Sequence, residues 1–121
     1  MNGNDIVIVS ATRTAIGKFG GQFATTSAIE LGTAVAKSAI QKAKLSPDQI
    51  DTVIFGNVLQ AGLGQNPARQ VGLKTGLLHS STALTVNEVC GSGLKAIILA
   101  AQSLRLGDAK IVLAGGMENM S

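Results

Sequence analysis

The segment from residue 83 to residue 104 constrains the fold most, because a strand pattern runs directly into a helix pattern there. Residues 83–86 form a short run with β-branched side chains, which is typical of a strand. From Leu94 to Leu104 the sequence is mostly apolar, and this run is too long for a strand. The segment therefore predicts a strand that leads through a tight junction into a helix.

The single cysteine, Cys90, lies at this junction. A helix N-terminus carries unpaired N–H groups and the positive end of the helix dipole, so it favours a thiolate over a thiol. Gly91 and Gly93 remove side-chain bulk, which lets a substrate approach the backbone. The pattern indicates that Cys90 is a nucleophile whose own backbone N–H is a candidate oxyanion donor. The alternative is a cysteine that only fills space in the core.

The rest of the chain alternates between strand and helix patterns. Continuous apolar runs predict further buried strands at residues 5–10, 52–55 and 111–114. A capping box at residues 27–30 predicts the start of an amphipathic helix, and Asn66 followed by Pro67 predicts a second helix that ends near Gly76. The sequence therefore predicts an α/β fold with about four largely parallel strands and three crossover helices.

The helix after Gly93 is apolar on nearly all sides, apart from a narrow stripe of Lys95, Gln102 and Arg105. This pattern predicts a helix buried between two layers. Four strands with three crossovers hardly provide apolar partners on both sides of it. We therefore expect the chain to be one portion of a larger protein.

Composition and charge narrow the function classes. The net charge is +3, from 10 basic and 7 acidic residues that form no cluster, which argues against a nucleic-acid surface. One cysteine and one histidine exclude an internal disulfide and leave no ligand set for a structural zinc ion. The sequence shows neither a secretory signal nor an uninterrupted apolar run of membrane-spanning length. These features predict a cytoplasmic protein that binds no metal and no membrane.

Several other residues are candidates for a site around Cys90. His79 is the only candidate general base, but its polar loop favours an exposed histidine without a catalytic role. Glu118 and Asn119 follow the last strand and either line a cleft or serve as loop residues. Arg69 is expected to make an ordinary ion pair or hydrogen bond, and Asn87 to orient the loop backbone through its amide. The loop at residues 11–21 contains glycine and lysine without the spacing of a phosphate-binding loop.

Four stretches together closely resemble the thiolases, the acetyl-CoA acyltransferases: residues 13–21, 64–70, 87–97 and 115–121. The resemblance extends over the whole chain. Position 15 is alanine where many thiolases have proline, a difference in a loop that affects no chemistry.

The resemblance implies a layered αβαβα architecture built from two similar halves, with residues 1–121 forming an incomplete N-terminal domain. It implies that Cys90 is acylated by an acyl-CoA and that a second acetyl-CoA attacks the thioester in a Claisen condensation, with thiolysis as the reverse. Coenzyme A thioesters would be the substrates, and no other cofactor would be needed. The resemblance also implies a homodimer or homotetramer.

Thiolases are about three times as long as this chain. The later histidine that activates the nucleophile, the second cysteine, the oxyanion-hole asparagine and the loop domain that binds coenzyme A have no counterpart in it, and His79 does not match that histidine's motif. We therefore expect the chain alone to be catalytically incompetent. Two alternatives remain: a small binding or assembly protein that uses this fold without catalysis, and a related condensing enzyme of the ketoacyl synthase type.

Overall fold

The computed structural model describes residues 3–121 and contains three helices and three strands. A single 3-10 turn at Pro47–Gln49 precedes the first strand. In chain order the elements are α1 (Ala28–Lys42), β1 (Thr52–Gly56), α2 (Pro67–Thr75), β2 (Thr82–Val86), α3 (Ser92–Leu106) and β3 (Val112–Gly116).

The three strands form one parallel sheet in the order β2-β1-β3. Their register is aligned, so that Thr52 lies opposite Thr82 and Val112, and Gly56 lies opposite Val86 and Gly116. All three carboxyl ends therefore meet at one edge of the sheet. This confirms the predicted α/β class with parallel strands.

Helices cover both faces of the sheet. Val53 and Phe55 of β1 belong to a buried cluster with α1 and α2, whereas Ile54 packs with Ala96 and Ala100 of α3 on the opposite face. This alternation follows from the two-residue period of a strand. Both faces of β1 are therefore buried, as its continuous apolar sequence requires.

Local signals located the first two helices correctly. In α1, the Ser27 hydroxyl accepts a hydrogen bond from the Glu30 N–H at 3.0 Å, and the Glu30 carboxylate accepts one from the Ser27 N–H at 2.8 Å. In α2, the Asn66 side chain accepts from the Arg69 N–H at 3.3 Å, and the helix ends at Gly76 with φ +101°. The predicted capping box and N-cap are both confirmed.

The predicted strand at residues 5–10 is wrong. These residues form no strand, and Val7, Ile8 and Val9 are 48%, 77% and 67% exposed. Among residues 3–121 no strand pairs with the outer edge of β3, and an open cleft of about 1500 Å³ is lined by this segment together with parts of α1, α3 and β3. An extended segment becomes a strand only when a neighbour completes its backbone hydrogen bonds. The apolar run identified a segment suited to burial, but residues 3–121 provide no such neighbouring strand.

The prediction that α3 is buried on nearly all sides is also wrong. Only Ser92, Ala96 and Ala100 of this helix are fully buried, while Leu94 is 65% exposed and Ile97 is 43% exposed. The sheet covers one face of the helix, and no second layer within residues 3–121 covers the other. An apolar helix surface indicates suitability for burial without showing that a covering layer is present.

The 18-residue stretch Val89–Leu106 has a mean hydropathy of 1.2, enough by length and composition alone to cross a membrane. Core helices of soluble proteins have similar compositions. Within this stretch, Lys95 forms an ion pair with Glu88 at 3.6 Å, and Ala96 and Ala100 pack on the sheet. These contacts favour a helix that belongs to an α/β core.

Asp51 connects the amino ends of the strands. Its carboxylate accepts hydrogen bonds from the N–H groups of Lys110 at 2.7 Å and Ile111 at 3.0 Å. These two bonds, together with the positive charge of Lys110, lower the pKa of Asp51 below its ordinary value. The carboxylate therefore fixes the start of β3 beside β1.

Replacing Asp51 with asparagine is expected to lower the free energy of unfolding at pH 7, because the two hydrogen bonds lose their charge assistance. The loss should be only about 0.5–1 kcal/mol, because the carboxylate is exposed and solvent screens its charge. A folded-state pKa below the unfolded value means that the stabilisation is present above about pH 4 and is lost as the pH falls through the folded value. Urea denaturation across this range should show the difference between D51N and wild type closing at low pH. D108N is the matched control, since Asp108 makes no side-chain hydrogen bond or ion pair in the described chain. If the difference in free energy of unfolding between D51N and wild type does not change with pH, the stabilising role of the Asp51 carboxylate is contradicted.

Candidate active site at the Cys90 turn

Cys90 lies on a turn at the carboxyl edge of the sheet, which we call the Cys90 turn (residues 87–92). The turn follows Val86, the last residue of β2, and ends where α3 begins at Ser92 with Gly91 as its N-cap. Cys90 is a free, exposed cysteine. The structure therefore places it on the predicted strand-to-helix junction, and its exposure disfavours a core-filling role.

The start of α3 lies directly on the ends of the neighbouring strands β1 and β3. A Cβ atom on Gly56, the last residue of β1, would lie 2.5 Å from the Ser92 carbonyl carbon and 2.6 Å from the Ser92 Cβ. A Cβ atom on Gly116, the last residue of β3, would lie 3.5 Å from the Gly93 Cα. Only glycine at position 56 permits this approach. The end of β1 therefore packs directly against the last residue of the Cys90 turn.

The backbone of the Cys90 turn is strained and held by side chains. Val89 has φ +53°, a left-handed conformation that is costly for a β-branched residue. The Asn87 amide oxygen accepts a hydrogen bond from the Val89 N–H at 2.9 Å, which confirms the predicted role of Asn87. On the other side, the Ser92 hydroxyl donates to the Val89 carbonyl at 2.6 Å and accepts from the Glu88 N–H at 2.8 Å.

Glu118 secures the loop that follows β1. Its carboxylate accepts hydrogen bonds from the N–H groups of Val58 at 2.9 Å and Leu59 at 3.2 Å, and from the Asn57 amide at 3.1 Å. Asn57 is buried, and its own amide oxygen has no hydrogen-bond partner among the described residues. Both roles predicted for Glu118 are therefore seen: it holds the loop after β1, and, together with Asn119, it belongs to the lining of the open cleft described above.

Asn119 and Ser121 connect the end of the described chain to earlier loops. The Asn119 amide donates to the carbonyl oxygens of Phe23, at 2.8 Å, and Thr26. The Ser121 hydroxyl accepts a hydrogen bond from the Gly20 N–H at 2.8 Å. Asn119 therefore also has a structural role, and the structure brings together two of the four stretches singled out in the sequence, residues 13–21 and 115–121.

His79 lies far from Cys90. It is exposed in the turn before β2, whereas Cys90 follows the opposite end of that strand. A five-residue strand spans about 15 Å, so the two residues lie at opposite edges of the sheet. The expectation that His79 is exposed is confirmed, and its position at the other edge of the sheet disfavours it as the base for Cys90. Arg69 makes the predicted ordinary hydrogen bonds, to the carbonyl oxygens of Ser81 at 2.7 Å and His79 at 3.0 Å.

Sequence reasoning missed Gly56, Asn57 and Ser92 as parts of this site. Ser92 falls three residues after Val89, a spacing at which a serine hydroxyl can return to the backbone of the preceding turn. That local signal could have been used, whereas the contact between Ser92 and Gly56 joins segments distant in sequence. Within residues 3–121, no group of three or more His, Cys, Asp or Glu side chains is placed to hold a metal ion.

A parallel α/β sheet with an exposed cysteine on a strained strand-to-helix turn defines a candidate nucleophile site. Comparisons with known proteins identify the family of the chain. Residues 6–121 match the family model of the thiolase N-terminal domain. The chain is 62% identical over 115 residues to an acetyl-CoA acetyltransferase of Escherichia coli, a match that covers 95% of this chain and 29% of that protein. It is 54% identical over 116 residues to a cytosolic acetyl-CoA acetyltransferase of Mus musculus, covering 96% of this chain and 29% of the relative.

A solved structure supports the same assignment. The Acat5 thiolase from Ascaris suum in complex with coenzyme A has a TM-score of 0.89 and 45% sequence identity to this chain, covering 90% of this chain and 28% of that one. The chain belongs to the thiolase family. It spans about three tenths of the length of the curated relatives that it matches.

Proposed function

We propose that this chain contributes the nucleophile of an acyltransferase that forms or cleaves a 3-ketoacyl-CoA of the acetoacetyl-CoA type. Cys90 carries the acyl group as a thioester. The observation that supports this most directly is the position of Cys90, which is exposed on a strained turn between β2 and α3 in a chain of the thiolase family. The names of the relatives and the coenzyme A complex of the structural neighbour support acyl-CoA substrates.

The proposed reaction begins when the Cys90 thiolate attacks the acyl carbonyl of an acyl-CoA. The carbonyl oxygen becomes an oxyanion in the tetrahedral intermediate, and the Cys90 backbone N–H is the donor in this chain that we assign to it. The sulfur–carbon bond to coenzyme A then breaks, and the coenzyme A thiolate leaves. A second acetyl-CoA, deprotonated at its α-carbon, attacks the acyl-Cys90 thioester and releases the cysteine; thiolysis is the reverse.

The thioester itself makes this chemistry accessible without a metal or redox cofactor. It acidifies the α-carbon of acetyl-CoA, and it supplies a good leaving group. Cys90 lies just ahead of the N-terminus of α3, so the acyl group that it carries is held beside the unpaired N–H groups of that helix.

We further propose that residues 1–121 form an incomplete N-terminal domain and that this chain alone does not turn over. Proton transfers require a base, and His79 lies at the opposite edge of the sheet from Cys90. We also propose a cytoplasmic location and a homodimeric or homotetrameric assembly for the whole protein. The relative from Mus musculus that is named cytosolic supports the location.

The experiment that tests this proposal measures acetyl transfer to Cys90. The chain is incubated with acetyl-CoA, and intact mass followed by peptide mapping locates the acetyl group. We expect acetylation at Cys90, its loss in C90S, and no steady-state thiolysis of acetoacetyl-CoA. Acetylation at lysines only, or no acetylation at all, would contradict Cys90 as the acyl carrier and favour a binding or assembly role. Sustained thiolysis would contradict the expected incompetence of the isolated chain.

A further inference from the structure

We propose that Ser92 is a positioning residue for acyl transfer: by holding the Val89 carbonyl, it aims the Cys90 backbone N–H at the oxyanion that forms on the acyl group. The inference rests on the proposed function, in which Cys90 is the acyl carrier. It adds a residue whose hydroxyl bonds the backbone of Glu88 and Val89 and would act on the reaction through that backbone.

Ser92 holds the backbone of the Cys90 turn through three hydrogen bonds. Its hydroxyl donates to the Val89 carbonyl at 2.6 Å and accepts from the Glu88 N–H at 2.8 Å. The Ser92 N–H reaches the same Val89 carbonyl at 3.1 Å. Ser92 is only 4% exposed, so these bonds are sheltered from competing water.

The peptide bond between Val89 and Cys90 links the Val89 carbonyl to the Cys90 N–H. The chain contains no cis peptide among its described residues, so this bond is planar and trans. In a trans peptide the C=O and N–H point in opposite directions. Because the Val89 carbonyl points to Ser92, the Cys90 N–H must point away from it. Ser92 thus sets the direction of the backbone donor that belongs to the nucleophile itself.

Ser92 has little freedom to move, because it is packed against the end of β1. β1 and α3 approach each other tightly at Gly56, where an added Cβ would lie within 2.7 Å of three Ser92 atoms. Without the hydroxyl bond, only the backbone N–H of residue 92 would hold the Val89 carbonyl, and Val89 at φ +53° would relax toward an ordinary conformation and rotate the Cys90 N–H. The fixed position of Ser92 against β1 therefore keeps a strained peptide in place.

The test separates a reaction that forms an oxyanion from one that does not. With p-nitrophenyl acetate, the Cys90 thiolate attacks the acyl carbon, a sulfur–carbon bond forms, the ester carbon–oxygen bond breaks, and p-nitrophenolate leaves with the electron pair. With iodoacetamide, the thiolate displaces iodide at a saturated carbon, and no oxyanion appears. The Cys90→Ser variant supplies the background rate of each reagent with other side chains.

We expect Ser92→Ala to lower the acetylation rate about 10- to 100-fold, while the alkylation rate stays within about threefold of wild type. Removing an oxyanion donor lowers a rate by about 100- to 1,000-fold. The effect here should be smaller, because the Cys90 N–H is misdirected and not removed. Ser103→Ala on the same helix is the matched control, since the Ser103 hydroxyl makes no hydrogen bond within residues 3–121. Its ratio of acetylation to alkylation should equal that of wild type.

A ratio for Ser92→Ala within about twofold of wild type would overturn the inference, as would a parallel fall of both rates, which would indicate a loss of thiolate or access. If far-UV circular dichroism shows that Ser92→Ala is unfolded, the same ratio is measured in Val89→Gly/Ser92→Ala, because glycine adopts a positive φ without strain. Acetylation by p-nitrophenyl acetate without acetylation by acetyl-CoA would contradict the proposed function and leave the test of Ser92 intact.

Discussion

Replacing Gly56 with alanine is expected to lower the free energy of unfolding by about 3 kcal/mol, at the upper end of ordinary overpacking costs. The added methyl group would lie 2.5 Å from the carbonyl carbon of Ser92 and 2.7 Å from its carbonyl oxygen. These are backbone atoms at the start of α3, so the contact cannot be relieved by rotating a side chain. Either β1 or α3 must shift, and the loss should appear in urea denaturation followed by circular dichroism.

The same substitution should also impair the reactivity of Cys90, because the displaced residue is the one that holds the Val89 carbonyl. Gly93→Ala is the matched control. Gly93 follows Ser92 on α3, an added Cβ there meets no atom within 4 Å, and its φ is not positive. Its stability should stay within about 0.5 kcal/mol of wild type. Equal stabilities for G56A and G93A would show that α3 does not pack on β1 as described.

Features determined by neighbours in sequence could be predicted from the sequence. The capping box of Ser27 and Glu30, the N-cap at Asn66 and the stop at Gly76 each depend on a few consecutive residues. The strand-to-helix junction at Cys90 belongs to the same group, because β-branched residues, a glycine-rich turn and an apolar helix follow one another directly. Such patterns express the local geometry of the backbone, and their bonds need no partner that is distant in sequence.

Features that need a distant partner could not be predicted in the same way. Residues 5–10 have the composition of a buried strand, but whether they become one depends on a neighbouring strand beside β3. The exposed face of α3 shows the same limit, since apolar side chains indicate that a surface can be covered and not what covers it. In both cases the apolar side chains favour burial, but only a tertiary partner can bury them.

The candidate site divides along the same line. The nucleophile Cys90 and the orienting amide of Asn87 were found from their position ahead of the helix. The contact of Gly56 with Ser92 and the bonds from Glu118 to the loop after β1 were missed, because they join segments far apart in sequence. The separation of His79 from Cys90 became certain only when both ends of β2 were placed at opposite edges of the sheet.

Replacing Phe55 with alanine is expected to lower the free energy of unfolding by about 3–5 kcal/mol. Phe55 is 1% exposed and is the largest fully buried side chain in the described chain. Its ring borders two glycines, so that a Cβ on Gly32 of α1 or on Gly115 of β3 would each lie 3.3 Å from a ring carbon. Because backbone surrounds the ring at these points, the neighbours cannot collapse easily into the space that alanine would leave.

Phe19→Ala is the matched control for this truncation, because it removes the same ring from a side chain that is 77% exposed. Its effect on the free energy of unfolding should stay within about 0.5 kcal/mol. Since small domains are stable by only about 5–15 kcal/mol, F55A should lose a large share of the total and unfold at a clearly lower urea concentration. Similar urea midpoints for F55A and F19A would mean that the core between α1 and the sheet is not packed around Phe55.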